Sequence, residues 1–272
     1  MTEVITVAGY GALSEAYEWL IRDENLSPVG AAARFEDLVT SLPPNARVLD
    51  CSCGTGQLAV GLAGHDLDVV ATDASSGMIR RTTALAGEHG VRLDARQVSW
   101  AELTGRFEAS TFDLVFCVGN SLGHAEGRRG RLAALASMAQ LLRPGGRLVL
   151  TSRMWEVVRA RGSRIDVRDR LIRRNGRDAV VIYHTQIAPD WEQEHHMEIA
   201  VTEVRPDGSL QTCAERLSFW PYRYEELVAQ LQSLGLTVET TTLDSDGAGY
   251  LLVAQSGVGR LSDETGLPVA QA

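Results

Sequence analysis

Apolar positions recur at helical spacing over residues 10–24, where Leu13, Tyr17, Leu20 and Ile21 share one side of an amphipathic helix. A second helix is expected over 30–41 after Pro28, and Pro43-Pro44 break the chain before the first strand. From Ala46 the pattern alternates. RVLDC is a short apolar strand, the glycine-rich CGTG follows it, and LAVGLAG is helical. DVVATD is the next strand, with a helix from Ser75 to about Glu88 behind it. VRLDARQVSW and FDLVFCV are strands three and four. GRLAALASMAQLL is helical and stops at Arg143-Pro144-Gly145-Gly146, and GRLVLTSR is strand five. Strand and helix alternating at this pitch predict a doubly wound, mostly parallel sheet with helices on both faces.

After Trp155 the pattern changes. DAVVIYHTQIA, HHMEIAVTEV and SLQTCAERLSFW read as antiparallel strands joined by turns such as Asn175-Gly176 and Asp207-Gly208. Residues 223–234 return to helix, and LTVETTTL and GYLLVA close the main sheet at seven strands. The expected organisation is a helical cap over 1–44, an α/β domain over 45–160 and 221–256, an antiparallel lid over 161–220, and a flexible tail over 257–272.

Composition narrows the chemistry. The chain has 272 residues, 44% hydrophobic and 22% charged, which suits one large α/β domain with a lid. No apolar run is long enough to cross a bilayer and no signal peptide is visible, so neither membrane nor secretion is expected. Four cysteines make no disulfide framework, which favours the cytoplasm. All 26 basic residues are arginine. The absence of lysine excludes a Schiff-base lysine, a P-loop and a kinase-type lysine. A net charge of −9 argues against nucleic acid or an anionic membrane as partner.

The first strand ends at Asp50 and runs through Ser52 into Gly54-Thr55-Gly56, ahead of a helix. Glycines let a ligand approach the backbone, and a helix start offers unpaired N–H groups. Asp73 ends the second strand, where a carboxylate can accept both hydroxyl hydrogens of a ribose. The stretch also fits the dinucleotide pattern G-x-G-x-x-G/A. An acidic residue directly before the glycines would repel a pyrophosphate but neutralise an ammonium, so Asp50 favours S-adenosylmethionine over NAD. Ser99 and Trp100 end strand three, where an adenine ring would lie and Trp100 could stack on it.

At these residues the chain resembles the class I methyltransferases that use S-adenosylmethionine, and within them the glycine N-methyltransferase-like group. The matching stretches are RVLDCSCGTG, VVATDASSGMI, VSW, FDLVFCVGNSLGH, LLRPGGRLVLTSRMWE and RLSFWPY, and Tyr10 and Trp19 keep a Tyr–Trp spacing of that group. The resemblance implies that Trp19, Ser52, Met78 and Val118 join the cofactor contacts, that Asn120 touches the acceptor, and that Arg153 holds an acceptor carboxylate. It also implies a homo-oligomer, and the apolar stripe of residues 13–21 asks for a partner. Tyr10 and Tyr17 are placed to orient an amine or close the site. His124 follows Asn120 in the same loop and is a possible general base for a hydroxyl acceptor. No metal is expected: His195 and His196 point to opposite faces of a strand, and Cys51 and Cys53 have no second pair. The expected reaction is methyl transfer to the nitrogen of a small amine or amino acid such as glycine or sarcosine. The alternatives are N-methylation of an amino-acid-derived natural product, or O-methylation with His124 as base.

Overall fold

The computed structural model describes residues 13–168, 171–244 and 247–257. The N-terminal part holds three short helices, α1 (Leu13–Ala16), α2 (Pro28–Ala33) and α3 (Glu36–Thr40). Then β1 (Ala46–Asp50), α4 (Gln57–Ala63), β2 (Leu67–Asp73), α5 (Ser76–Glu88), β3 (Asp94–Gln97), α6 (Leu103–Arg106), β4 (Phe112–Cys117), α7 (Gly127–Leu141) and β5 (Leu142–Arg153) alternate along the chain. After α8 (Trp155–Ala160) come β6 (Arg164–Val167), β7 (Ile172–Arg174), β8 (Arg177–Gln186), β9 (His195–Val204) and β10 (Leu210–Phe219). The chain closes with α9 (Tyr224–Ser233), β11 (Leu236–Leu243) and β12 (Gly249–Ser256).

The main sheet has seven strands in the order β11-β12-β5-β4-β1-β2-β3. It is parallel except for β12, which runs against both β5 and β11, as the alternation predicts. Its central strands read as continuous apolar runs because both faces are covered. One face packs Val48, Ala59, Leu62 and Phe116 against the α2–α3 region, and the other meets α7, α9 and the second sheet. The order reverses between β1 and β4. A crevice opens there beyond the carboxyl ends of the strands, and it is where a doubly wound sheet binds its ligand.

The second sheet, β10-β9-β8-β6 with β7 also on β8, is antiparallel throughout. Asn175 and Gly176 both take positive φ, 51° and 75°, which makes the two-residue turn between β7 and β8. Alternate residues of β8 and β9 point inward, among them Val181, Met197, Ile199 and Val201.

Three local expectations need correction. Residues 10–24 are not one helix: within the described part, α1 passes into 3₁₀ turns at Tyr17–Leu20 and Asp23–Asn25. The carbonyls that would extend the ladder are taken by side chains, Trp19 O by Arg168 at 2.7 Å and Ile21 O by Arg174 at 2.8 Å. Of the apolar stripe, Leu13 and Leu20 pack into the core shared with the second sheet, whereas Tyr17 and Ile21 line the crevice. Residues 30–41 split into α2 and α3 at Phe35, which turns in to meet Phe116 edge-on at 5.0 Å. The third strand shortens to four residues because Ser99 starts a new turn, its N–H and hydroxyl both held by Glu102.

Candidate active site

β1 delivers Asp50 to the crevice with only 1% of its surface exposed. Its Oδ1 accepts a long bond from the Ser52 N–H at 3.4 Å, and its Oδ2 has no partner among the described residues. Burial pushes the Asp50 carboxyl up to about 7, against the pull of the Ser52 bond and helped by nearby Asp73. A buried carboxylate oxygen left unpaired is costly until something donates to it. Asp73, at the end of β2, is oriented by two backbone N–H groups, Gly54 at 3.0 Å and Ser75 at 2.8 Å. Burial raises its carboxyl too, with those two bonds opposing.

The loop between these carboxylates depends on Gly56. Its φ is +94°, and a Cβ there would lie 2.8 Å from Thr82 Cγ2 and 2.9 Å from Thr82 Cα. The start of α4 can thus lie directly on α5, with the Thr82 hydroxyl donating to Gly54 O at 2.9 Å. A cavity of about 210 Å³ opens above the loop, lined by Tyr17, Asp50, Ser52, Gly54, Asp73, Met78 and Val118 among others. Two carboxylates, one with an unpaired buried oxygen, flank a glycine backbone that faces open space. This set of acceptors fits a ligand with an ammonium and a ribose, and it repels a pyrophosphate. The residues therefore fit S-adenosylmethionine.

The proposed acceptor residues stand beside this cavity. Asn120 follows β4 in a left-handed turn, φ 65°, with its N–H donating to Thr151 O at 3.0 Å. Its side-chain oxygen accepts from the Arg153 N–H at 3.0 Å, so that oxygen is used inside the protein rather than offered to an amine. The Arg153 side chain runs from the end of β5 to Met197 on β9, 3.9 Å from its sulfur. His124 Nδ1 lies 2.8 Å from Ser218 O. A carbonyl can only accept, so Nδ1 carries the proton and Nε2 is the acceptor nitrogen. Burial lowers the His124 pKa, the Ser218 bond opposes this, and the charge of Arg153 lowers it further. The neutral form of the ring is thereby favoured.

Tyr17 joins the two halves of the site. Burial pushes its hydroxyl up to about 12, Asp73 and Tyr183 add to the shift, and Arg153 opposes it. Tyr183 on β8 is raised by burial, with Arg168 and Arg153 opposing. Tyr183 has the same inward parity as Val181 on β8, so the period-2 pattern of that strand is the signal that could have placed it. Thr151 was equally unforeseen: it lines the cavity, and its hydroxyl accepts from the Gly119 N–H at 2.8 Å. Ile21, Asn25, Arg34 and Phe35 also line the cavity, and nothing local in their sequence marks them.

Other expected residues lie elsewhere. Trp19 is fully buried against the second sheet, its indole N–H donating to Glu203 at 2.9 Å and Arg177 lying over its ring at 5.2 Å. Two steps along a 3₁₀ turn rotate a side chain by about 240°, so Trp19 faces away when Tyr17 faces the cavity. Ser99 is held in its turn by Glu102, and the Trp100 indole N–H donates to Cys51 O at 2.8 Å; neither lines the cavity. Trp100 holds the glycine loop by its edge. Tyr10 lies outside the described residues. Among the described residues, no group of three or more His, Cys, Asp or Glu is disposed to hold a metal ion, and no helix is long and apolar enough to cross a membrane.

Comparison with known proteins agrees with this geometry. Residues 48–146 match the family model described as a methyltransferase domain. The chain is 33% identical over 110 residues to the glycine/sarcosine N-methyltransferase of Halorhodospira halochloris, covering 40% of this chain and 41% of that protein. It therefore spans about two fifths of the length of such curated relatives. Among solved structures it is similar to an amino pentose methyltransferase of Micromonospora echinaspora involved in calicheamicin biosynthesis, solved with S-adenosylmethionine bound. There the TM-score is 0.70 at 22% identity, over 94% of this chain and 99% of that one. A sugar N-methyltransferase from a Streptoalloteichus species superposes with a TM-score of 0.68 at 20% identity, covering 94% and 99%. With the strand order, the carboxylates closing β1 and β2 and the matching domain model together, this chain has the class I fold of the S-adenosylmethionine-binding methyltransferases.

Proposed function

We propose that the protein is an S-adenosylmethionine-dependent N-methyltransferase whose acceptor is the amine of a natural product built from an amino acid or an amino sugar. When bound, S-adenosylmethionine supplies an electrophilic methyl group on a sulfonium. Asp50 and Asp73 hold the two ends of that cofactor. Tyr17 closes the cavity against water above Gly54 and forms the wall shared with the acceptor. Arg153 and Tyr183 place donors on the second-sheet side. In neutral His124 the nitrogen able to act as a base is Nε2. A neutral amine needs no such base, so orientation is the main contribution the chain has to make.

Nitrogen over oxygen is supported by the likeness to the sugar N-methyltransferase and, over the cofactor half, to the glycine/sarcosine N-methyltransferase. A natural-product acceptor is supported by the likeness to the two sugar-amine enzymes, which runs through the N-terminal part and the second sheet as well as the cofactor half. Glycine or sarcosine is the second reading, favoured by the curated relatives over the cofactor half. The reading carries with it a cytoplasmic homo-oligomer that binds neither nucleic acid nor membrane. Release of S-adenosylhomocysteine from amino sugars, amino-acid derivatives, glycine, sarcosine and matched alcohols is the test. Turnover of amines alone is expected; methylation of alcohols or phenols with no amine accepted would overturn it.

A further inference from the structure

The amide of Asn120 is held in one orientation by atoms that leave no choice. The Arg153 backbone N–H, 3.0 Å from Asn120 Oδ1, can only donate, so the atom facing it is the carbonyl oxygen. Ser152 Oγ lies 3.3 Å from the same oxygen and 3.1 Å from Arg153 O. Neither of those oxygens can donate, so the single Ser152 proton points to them. With the Ser152 proton so used, Tyr222 Oη, 2.8 Å from Ser152 Oγ, is the donor to Ser152 that keeps both carbonyl contacts favourable. Burial keeps the Tyr222 hydroxyl protonated, pushing it up to about 12. Behind Tyr222 the Arg131 guanidinium lies 4.6 Å over the ring, itself held by Gln230 at 2.7 Å and Glu226 at 3.6 Å. This chain runs from α7 and α9 through β5 to the loop after β4.

The other end of the amide is the informative one. Asn120 Nδ2 donates to no group among the described residues, and it is not enclosed. It borders Gly123, where a Cβ would lie 3.4 Å from it and 3.0 Å from Trp155, so the turn leaves space on that side only because residue 123 is glycine. Arg153 and His124 flank the same turn.

We propose that Tyr222 and Ser152 are positioning residues that lock the Asn120 carboxamide with its oxygen inward, so that the site offers the acceptor a hydrogen-bond donor. The consequence deepens the proposed function and rests on it: the acceptor carries an oxygen, as hydroxyl or carboxylate, beside the amine that is methylated. A bare alkylamine leaves that donor unpaired.

Two measurements separate this from the function itself. In protein labelled with [15N]asparagine, the Asn120 side-chain resonance is identified by its loss in Asn120→Asp. Its order parameter is expected near the rigid-backbone level of about 0.85 in the wild type and below about 0.6 in Ser152→Ala and Tyr222→Phe. Ser152→Thr keeps the hydroxyl and is expected to keep the wild-type value. Equal order parameters in wild type, Ser152→Ala and Tyr222→Phe would overturn the lock. The second measurement compares kcat/KM for 3-amino-3-deoxyglucose against cyclohexylamine, and for glycine against methylamine. The preference for the oxygenated member is expected to fall about 3- to 10-fold in Ser152→Ala and Tyr222→Phe, through KM, with S-adenosylhomocysteine affinity unchanged. An unchanged preference in both variants would overturn the donor role. If the wild type methylates no amine at all, the N-methyl reading falls, and the order parameters still decide the lock.

Discussion

The two halves of the site are positioned by different means. On the cofactor side, β1 and β2 lie parallel and in register, with Asp50 opposite Ala71, and each carboxylate is set by backbone within two residues of it or by the glycine loop. On the acceptor side, the segment from Leu13 to Asp23 is clamped by side chains about 150 to 200 residues away. Glu215 accepts from the Leu13 N–H at 2.9 Å, Glu203 from Trp19, Arg168 and Arg174 donate to backbone carbonyls, and Arg177 pairs with Glu18 and Glu203. A ligand site built on local backbone is stiff and survives change elsewhere. A site assembled from distant side chains can open without disturbing the sheet beneath it.

The sharpest way to break the first half is Gly56→Ala. It combines strain at φ +94° with a Cβ 2.8 Å from Thr82 Cγ2. A left-handed non-glycine residue and an overpacked contact cost about 1–3 kcal/mol each, so a fall in thermal midpoint of roughly 5–20 °C is expected. A midpoint within 2 °C of wild type, by calorimetry, would show that the loop is less tightly seated than its geometry implies.

Asp50→Asn comes next, and its sign depends on pH. Burial raises the folded-state carboxyl from its ordinary 3.8 to about 7. Its contribution to stability is therefore fully present below about 3.8 and is lost as pH rises through about 7. Above that, the wild type keeps a buried unpaired anion costing on the order of 2–4 kcal/mol, which asparagine removes. The variant is expected to gain in thermal midpoint over wild type as pH goes from 5 to 8. S-adenosylhomocysteine affinity is expected to fall at least 10-fold, because a neutral amide replaces the partner of the ammonium. A stability difference that stays flat with pH would remove Asp50 as a buried titrating group.

The smallest effect tests the clamp. Glu203→Met leaves the buried Trp19 indole N–H without its acceptor, a cost of about 1–3 kcal/mol. Faster amide exchange is expected across residues 13–23, with β1, β2 and β4 unchanged. Exchange that accelerates evenly through both halves would mean that they unfold as one unit, and the comparison would fail.

The same division governs what could be read in advance. The parallel sheet, the helix stops and the acidic pair at Asp50 and Asp73 are all written in short stretches, because strand period, turn glycines and helix starts are local properties. Asp50, Ser52, Gly54, Asp73, Met78 and Val118 meet in one cavity as a stretch-by-stretch reading expects. Trp19, which the resemblance assigns to the cofactor, turns to the second sheet because distant arginines interrupt the helix that the pattern predicts. Tyr183 is legible only as an inward position of β8, and nothing near Thr151 in sequence says what it faces. By itself, the order of residues determined the fold class and brought the acidic ends of β1 and β2 to one crevice. Only the tertiary structure decided which way Asn120 turns its amide, which tautomer His124 holds, and that Tyr17 rather than Trp19 lines the cavity. Each of these depends on a partner brought close by folding: Ser152 and Tyr222 for the amide, Ser218 for the imidazole, and Arg168 and Arg174 for the turn.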